Sequence, residues 1–359
     1  MLIENQYVGK GLPSESSGDP NWQSYPWVCD NNDAVSALLA QCPAHHETPL
    51  TAALAVHNFP SDATLWLKDE TARMGLGSFK ALGAAFAIAQ QADAARRHEE
   101  LAWEDCLKGK TYVAASAGNH GLSIAAGARL FGATAIIILA ENVPNAFKQR
   151  LENFGAKVLV HGSDYGQSMA KAEAIQQETG AILLSDSSWA NYVELPWHVM
   201  QGYTQCATEC VRQMGAGVPT KIFLQAGVGG LAAAAAAVFR RAWGQKPGIY
   251  VVEPAAAPAL QQSILAGRCV FADGPVSNMG RLDCKEPSVL ALKSLARDAN
   301  AFLTINDEQA DRVVELLQDA TGIVSTPSGV AGLAGALSPG LAISADDIVL
   351  CIISEGATA

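Results

Sequence analysis

Seven short apolar runs rich in β-branched residues, each bounded by turn residues, recur along the chain. They are Thr111 to Ala115, Ala133 to Ala140, Lys157 to Val160, Ala181 to Ser185, Ile222 to Gln225, Ile249 to Val252 and Ile348 to Ile353. Runs of this length and composition read as strands buried on both faces. Between them, Phe79 to Arg97, Gly121 to Phe131, Ala146 to Phe154 and Leu231 to Trp243 are rich in Ala, Leu, Gln and Arg, with no interior proline. These are helix formers. A chain that alternates strand and helix in this way builds parallel sheets covered on both faces, so an α/β fold is expected.

With 359 residues, 49% of them hydrophobic and 16% charged, the chain can bury a large core in two lobes. Its net charge of −11 supplies no basic surface for a phosphate backbone or an anionic bilayer. The expected partner is a small molecule, with no nucleic acid and no membrane. The first residues show no apolar signal-peptide core, and no uncharged apolar run spans a bilayer, so a cytoplasmic location is expected. The eight cysteines form no CxxC pair, which argues against a zinc or redox site, and no metal is expected. Most read as small buried hydrophobes, including Cys206 and Cys210 on one side of a helix. Residues before about position 30 read as an extended arm or a mobile lead-in.

Four segments carry candidate chemistry. In the first, Lys68-Asp69-Glu70 closes a strand, and Gly75-Leu76-Gly77-Ser78-Phe79 then leads to Lys80 at the start of an almost uncharged helix. An ammonium there is poorly solvated, so its pKa is expected to fall, and the neutral amine suits Schiff-base chemistry with an aldehyde cofactor. A plain solvated lysine is the alternative. In the second, Ser116-Ala117-Gly118-Asn119-His120 lies between a strand and a helix, where free backbone N–H groups bind an anion such as an α-carboxylate. Ser116 and Asn119 serve equally as caps, and His120 as a core histidine.

The third, Gly227-Val228-Gly229-Gly230-Leu231, again sits between strand and helix, and its glycines allow a phosphate to approach the backbone. With Ala232, and Glu253 about twenty positions on, it also approximates the dinucleotide fingerprint. An NAD-dependent oxidoreductase is therefore a competing reading. In the fourth, Ser354 ends the last strand, where a buried hydroxyl needs a polar partner such as a ring nitrogen, or simply forms a turn.

In this order the segments resemble the fold-type-II pyridoxal-phosphate enzymes, the tryptophan synthase β superfamily. The segments are Thr48-Pro49-Leu50, Lys68-Asp69-Glu70, Ser78-Phe79-Lys80, Ser116 to His120, Gly227 to Gly230 and Val252-Glu253-Pro254. Within that superfamily the chain most resembles the diaminopropionate ammonia-lyases. The further segments behind this are Asp186-Ser187-Ser188-Trp189, Met200-Gln201-Gly202-Tyr203, Gly280 to Ser288 (GRLDCKEPS) and Ser354-Glu355-Gly356-Ala357-Thr358. It departs at Ala117, where those lyases have an Asp linked to deprotonating the D-isomer.

The resemblance implies a large and a small parallel-sheet domain flanked by helices, with residues 88–200 inserted between 1–87 and 201–359, and a homodimer. It implies pyridoxal 5′-phosphate carried by Lys80. Phe79, Asn119, Gly227, Val228, Gly229, Gly230, Leu231 and Ser354 are then the cofactor residues, with Asn119 donating to the 3′-oxygen. Ser116, Ala117, Gly118, Asn119 and His120 would receive the substrate carboxylate. Lys80 would remove the α-proton, and Asp186 would act as an acid or bind a β-amino group, unless it merely ends its strand. The implied activity is a carbon–nitrogen lyase that carries out α,β-elimination on a small β-substituted L-amino acid, giving a 2-oxo acid and ammonia. A β-hydroxy amino acid dehydratase is the nearest alternative, in which case Arg281 or Lys285 would bind a second anionic group. A cofactor-binding protein without turnover is a more distant one.

Overall fold

The computed structural model describes residues 1–13, 19–28, 31–53, 56, 59 and 62–357. Cys29 and Thr358, both singled out above, lie outside the described residues. Among the described residues there are eleven strands: β1 (Leu2–Glu4), β2 (Leu50–Ala53), β3 (Thr64–Asp69), β4 (Thr111–Ala115), β5 (Thr134–Leu139), β6 (Lys157–Val160), β7 (Ile182–Leu183), β8 (Lys221–Gln225), β9 (Gly248–Pro254), β10 (Ala301–Ile305) and β11 (Ile348–Ile353). All seven runs read as strands are among them.

They form two sheets, of order β1-β10-β9-β8-β11-β3-β2 and β6-β5-β4-β7. In the larger sheet the five central strands are parallel and only the two edges run antiparallel. The smaller sheet is parallel throughout. Helices cover both sheets, and the strands Ile348–Ile353 and Lys221–Gln225 are almost wholly buried, as their unbroken apolar sequences require. The polyalanine stretch lies in the helix Gly230–Trp243, every residue from Ala232 to Ala237 buried, so small side chains bring that helix close to its neighbours. Among the described residues no helix is long and apolar enough to cross a membrane.

The described part of the N-terminal segment is packed against the body of the protein, partly as an extended strand. β1 pairs with β10, and Trp22, Tyr25 and Val28 are buried in the main core. Lys293 fixes it by donating to the carbonyls of Trp22, Gln23 and Tyr25 at 2.8, 3.2 and 2.6 Å. This anchor lies some 270 positions from the arm in sequence, so no local pattern announces it.

The strand-end motif Lys68-Asp69-Glu70 turns inward. Lys68 donates to Glu209 at 2.7 Å, and Arg73 bonds Glu70 at 2.7 Å and Glu209 at 2.6 Å, all four side chains being essentially inaccessible. Two cations balance two carboxylates, and the network ties the end of β3 to the helix Glu194–Met214. Glu209→Ala leaves Lys68 and Arg73 sharing one buried carboxylate. It is expected to cost about 3–5 kcal/mol of stability, read from a denaturant midpoint. A loss below about 1 kcal/mol would mean that the network contributes little.

Candidate active site

The candidate residues converge where the parallel strands of the two sheets end, at their carboxyl edges. There, loops replace strands and backbone groups are free to meet a ligand. Leaving β3, the chain reverses through a tight turn in which Met74, Gly75 and Gly77 all have positive φ. Lys80 then opens the helix Lys80–Glu99. The turn is fastened to the end of β11, for Phe79 N–H donates to the Ser354 carbonyl at 3.0 Å and Ser78 bridges to Glu355.

Lys80 Nζ makes a close ion pair with Asp186, which follows β7 of the smaller sheet. Each side chain is 20% exposed. This reverses one expectation. Burial acts to lower the lysine pKa, but the adjacent carboxylate more than offsets it and holds Lys80 above its ordinary value, as an ammonium. Burial likewise opposes ionisation of Asp186, and the Lys80 charge drives that carboxyl well below the usual range. Asp186 therefore does more than end a strand.

The loop after β4 contributes Ser116 to His120. Ser116 Oγ accepts from Gly121 N–H at 3.0 Å, so that hydroxyl caps the helix Asn119–Leu130. Asn119, only 4% exposed, donates through Nδ2 to Glu355 at 2.6 Å, and its buried Oδ1 has no partner. An ionised carboxylate only accepts, so Glu355 dictates which way the Asn119 amide points. Glu355 is gripped from its other side by Thr326 Oγ1 at 2.6 Å. His120 is buried, with Nε2 on the Leu184 carbonyl at 2.9 Å and its pKa lowered by burial, a neutral core histidine. Arg281 leans over the loop, within 3.2 Å of the Ala117 carbonyl.

At the end of β8, Gly229 has φ +97 and precedes the helix Gly230–Trp243. A Cβ there would come within 3.0 Å of both Ala291 and Leu260. Only glycine gives this turn, and it leaves the helix N-terminal N–H groups uncovered. Val228 accepts from Ser288 N–H at 3.0 Å, and Leu231 is buried. Glu253 does not serve as a ribose acceptor. Its carboxylate takes the N–H groups of Leu260 and Gln261 at 2.7 and 2.8 Å, capping the next helix, and burial pushes its pKa up to about 8. The dinucleotide reading thus loses its acidic residue.

These elements enclose a cavity of about 840 Å³ lined by all the candidate residues, Ser354 included. Glu173, Asp186, Asp283, Glu286 and Glu355 face it, against Lys80, Arg281 and Lys285. Lys285 is spent on the carbonyls of Ala256 and Pro275 and on Asp283, at 2.9, 2.7 and 2.6 Å, so it is not the anion receptor anticipated from the sequence. Glu355 and Tyr203 also line the cavity, and both lie in segments quoted above without a role expected of them. Nor was a role expected of Cys284, whose thiol faces the cavity and is pushed up to about 11 by burial. Among the described residues no cluster of three or more His, Cys, Asp or Glu could hold a metal ion.

The arrangement suits a phosphorylated aldehyde. An amine stands beside a carboxylate, a glycine-opened helix N-terminus faces the same cavity, and four buried polar atoms of lining residues, Asn119 Oδ1, His120 Nδ1, Tyr203 Oη and Gln225 Oε1, lack protein partners. Comparison with known proteins agrees. Residues 42–355 match the family described as pyridoxal-phosphate dependent enzyme. Diaminopropionate ammonia-lyase of Escherichia coli strain K12 is 30% identical over 340 residues, covering 88% of this chain and 85% of that one. A holo crystal structure of the Escherichia coli lyase superposes with a TM-score of 0.83 at 26% identity, covering 99% of this chain and 93% of that one. Another, in complex with an aminoacrylate–PLP azomethine reaction intermediate, gives 0.82 at 27% identity, covering 99% and 94%.

Proposed function

This chain belongs to the pyridoxal-phosphate dependent enzymes, and from that premise we propose that it is an ammonia-lyase acting on a small L-amino acid with a β-amino group, of which L-2,3-diaminopropionate is the simplest. The observation that carries the choice of substrate is the Lys80–Asp186 pair inside an acidic cavity. Once the lysine nitrogen is engaged by cofactor, Asp186 is left as a largely buried carboxylate without its cation, and a β-ammonium group restores the balance. A second carboxylate on the substrate would meet Arg281 alone, with Glu355 only 4.0 Å from that guanidinium. The β-amino reading is therefore favoured over a 3-hydroxyaspartate.

In this reading Lys80, Phe79, Asn119 and Ser354 would hold the cofactor, and Gly227, Val228, Gly229, Gly230 and Leu231 would take its phosphate. Pyridoxal phosphate supplies the electron sink that makes an α-proton removable. Backbone N–H groups of the Ser116 to His120 loop take the α-carboxylate. Lys80, as the free amine, accepts the α-proton, and the Asp186 carboxylate holds the β-ammonium group, which leaves as ammonia when its bond to carbon breaks. The enamine left behind takes up water to give pyruvate and a second ammonia. Ala117 stands where the diaminopropionate ammonia-lyases have the Asp linked to the D-isomer, so the reaction is confined to the L-isomer. Residues 88–200 form the small domain, and the enzyme works as a cytoplasmic homodimer.

Purified protein supplied with L-2,3-diaminopropionate should release two equivalents of ammonia per pyruvate and leave the D-isomer of a racemate untouched. L-Serine and L-threonine should react more slowly. If they react faster than the diamino acid, the substrate assignment passes to the β-hydroxy amino acids.

A further inference from the structure

Tyr203 sits in the helix Glu194–Met214, is 1% exposed, and faces the cavity with a hydroxyl that has no hydrogen-bond partner. Buried phenols without a partner are rare because the polar group has given up water for nothing. The surroundings are built around this ring. Gly83, on the helix opened by Lys80, has no room for a side chain: a Cβ there would lie 2.3 Å from Tyr203 Cε1. On the other edge, a Cβ on Gly230 would lie 3.5 Å from Tyr203 Cε2. Phe79 packs edge-on at 4.9 Å between centroids.

The ring is thus wedged between the lysine helix and the first residue of the glycine-opened helix, and its hydroxyl lies in the field of both Lys80 and Asp186. Burial raises the phenol pKa, so it is a neutral donor at physiological pH. With the ring packed against the first residue of a helix whose N-terminus favours anions, an anion bound there is a suitable acceptor for this donor.

Resting on the cofactor reading above, we infer that Tyr203 is a cofactor-binding residue whose hydroxyl donates to the phosphate seated at the N-terminus of the helix Gly230–Trp243. This gives the helix-end N–H groups a side-chain partner in holding the phosphate. It also explains why Gly83 stands where an alanine would serve the helix better.

The test compares wild type with Tyr203→Phe, stripped of cofactor. The variant loses only an unpaired hydroxyl, so its cofactor-free form should melt at the same temperature as wild type or higher. Its affinity for pyridoxal phosphate, titrated by protein fluorescence, should fall about tenfold to a hundredfold, the range expected for a hydrogen bond to a charged group. Affinity for pyridoxal, which lacks the phosphate, should be unchanged. Equal losses for both compounds would place the hydroxyl on the ring and overturn the phosphate assignment. No loss for either would overturn the inference altogether. Wild-type protein that binds no pyridoxal phosphate would instead remove the premise.

Discussion

Lys80→Ala is expected to lower turnover of L-2,3-diaminopropionate by at least about 10⁴-fold and to abolish the borohydride-sensitive visible absorbance of the holoenzyme. The side chain carries two duties, covalent attachment of the cofactor and removal of the α-proton, and general-base loss alone accounts for about 10²–10⁴-fold. Lys80→Arg should be no better, because a guanidinium keeps its proton and cannot act as the base. Peptide mapping after borohydride should locate the label at Lys80 in wild type and nowhere in either variant. A visible band that survives in Lys80→Ala would mean that another amine carries the cofactor.

The sequence puts Lys80 at the start of its helix, as the structure does, but misjudges its charge, for a physical reason. The uncharged neighbours Phe79 and Ala81 to Ala85 signal desolvation, which by itself lowers an amine's pKa. The opposing influence comes from Asp186, 106 positions away, and only the docking of the smaller sheet against the larger brings it there. The same holds for Asn119 and Glu355, separated by 236 positions. Each lies in a segment that stood out as sequence, yet their mutual bond is a tertiary fact. Glu253 fails in the opposite sense. Its spacing from Gly227 imitates a ribose-binding acid, but the spacing is equally that of a strand end facing the next helix, and the helix end claims it.

The strands were legible because burial on both faces demands unbroken apolar runs, and Thr111–Ala115, Lys157–Val160 and Ile348–Ile353 match their expected limits. Of the long helices, Tyr165–Thr179 went unannounced and Glu194–Met214 was anticipated only at Cys206 and Cys210, while Asp307–Thr321 was likewise not foreseen. The first has little amphipathic contrast, with only Ser168, Ala172 and Ile175 buried. The second carries Pro196 near its start, which looks like a breaker but is harmless in a first turn, where the missing N–H has no helical partner to lose. Tyr203 stood in a quoted segment without a role, because its significance depends on Gly83 and Gly230 on two other helices.

Asp186→Asn should reduce kcat for L-2,3-diaminopropionate by about 10²-fold or more and raise KM for it, while leaving KM for L-serine little changed, because serine has no β-ammonium for the carboxylate to hold. Equal KM shifts for both substrates would deny Asp186 a substrate-specific role. The cofactor-free protein offers an independent check. Asp186 has a depressed pKa, so its share of stability is present above the ordinary aspartate pKa and is lost as pH falls through the folded value. Lys80 has a raised pKa, so its share is present below the ordinary lysine pKa and is lost as pH rises through the folded value. Between those limits both groups are charged, and either single substitution strands a largely buried charge. The double variant Lys80→Ala/Asp186→Asn strands neither, so it should be less destabilised than the two single variants combined, by about 1–3 kcal/mol near neutral pH. That coupling should shrink toward the acid limit. A coupling near zero at neutral pH would mean that the pair is solvated in solution, and it would take away the argument that Asp186 seeks a substrate cation.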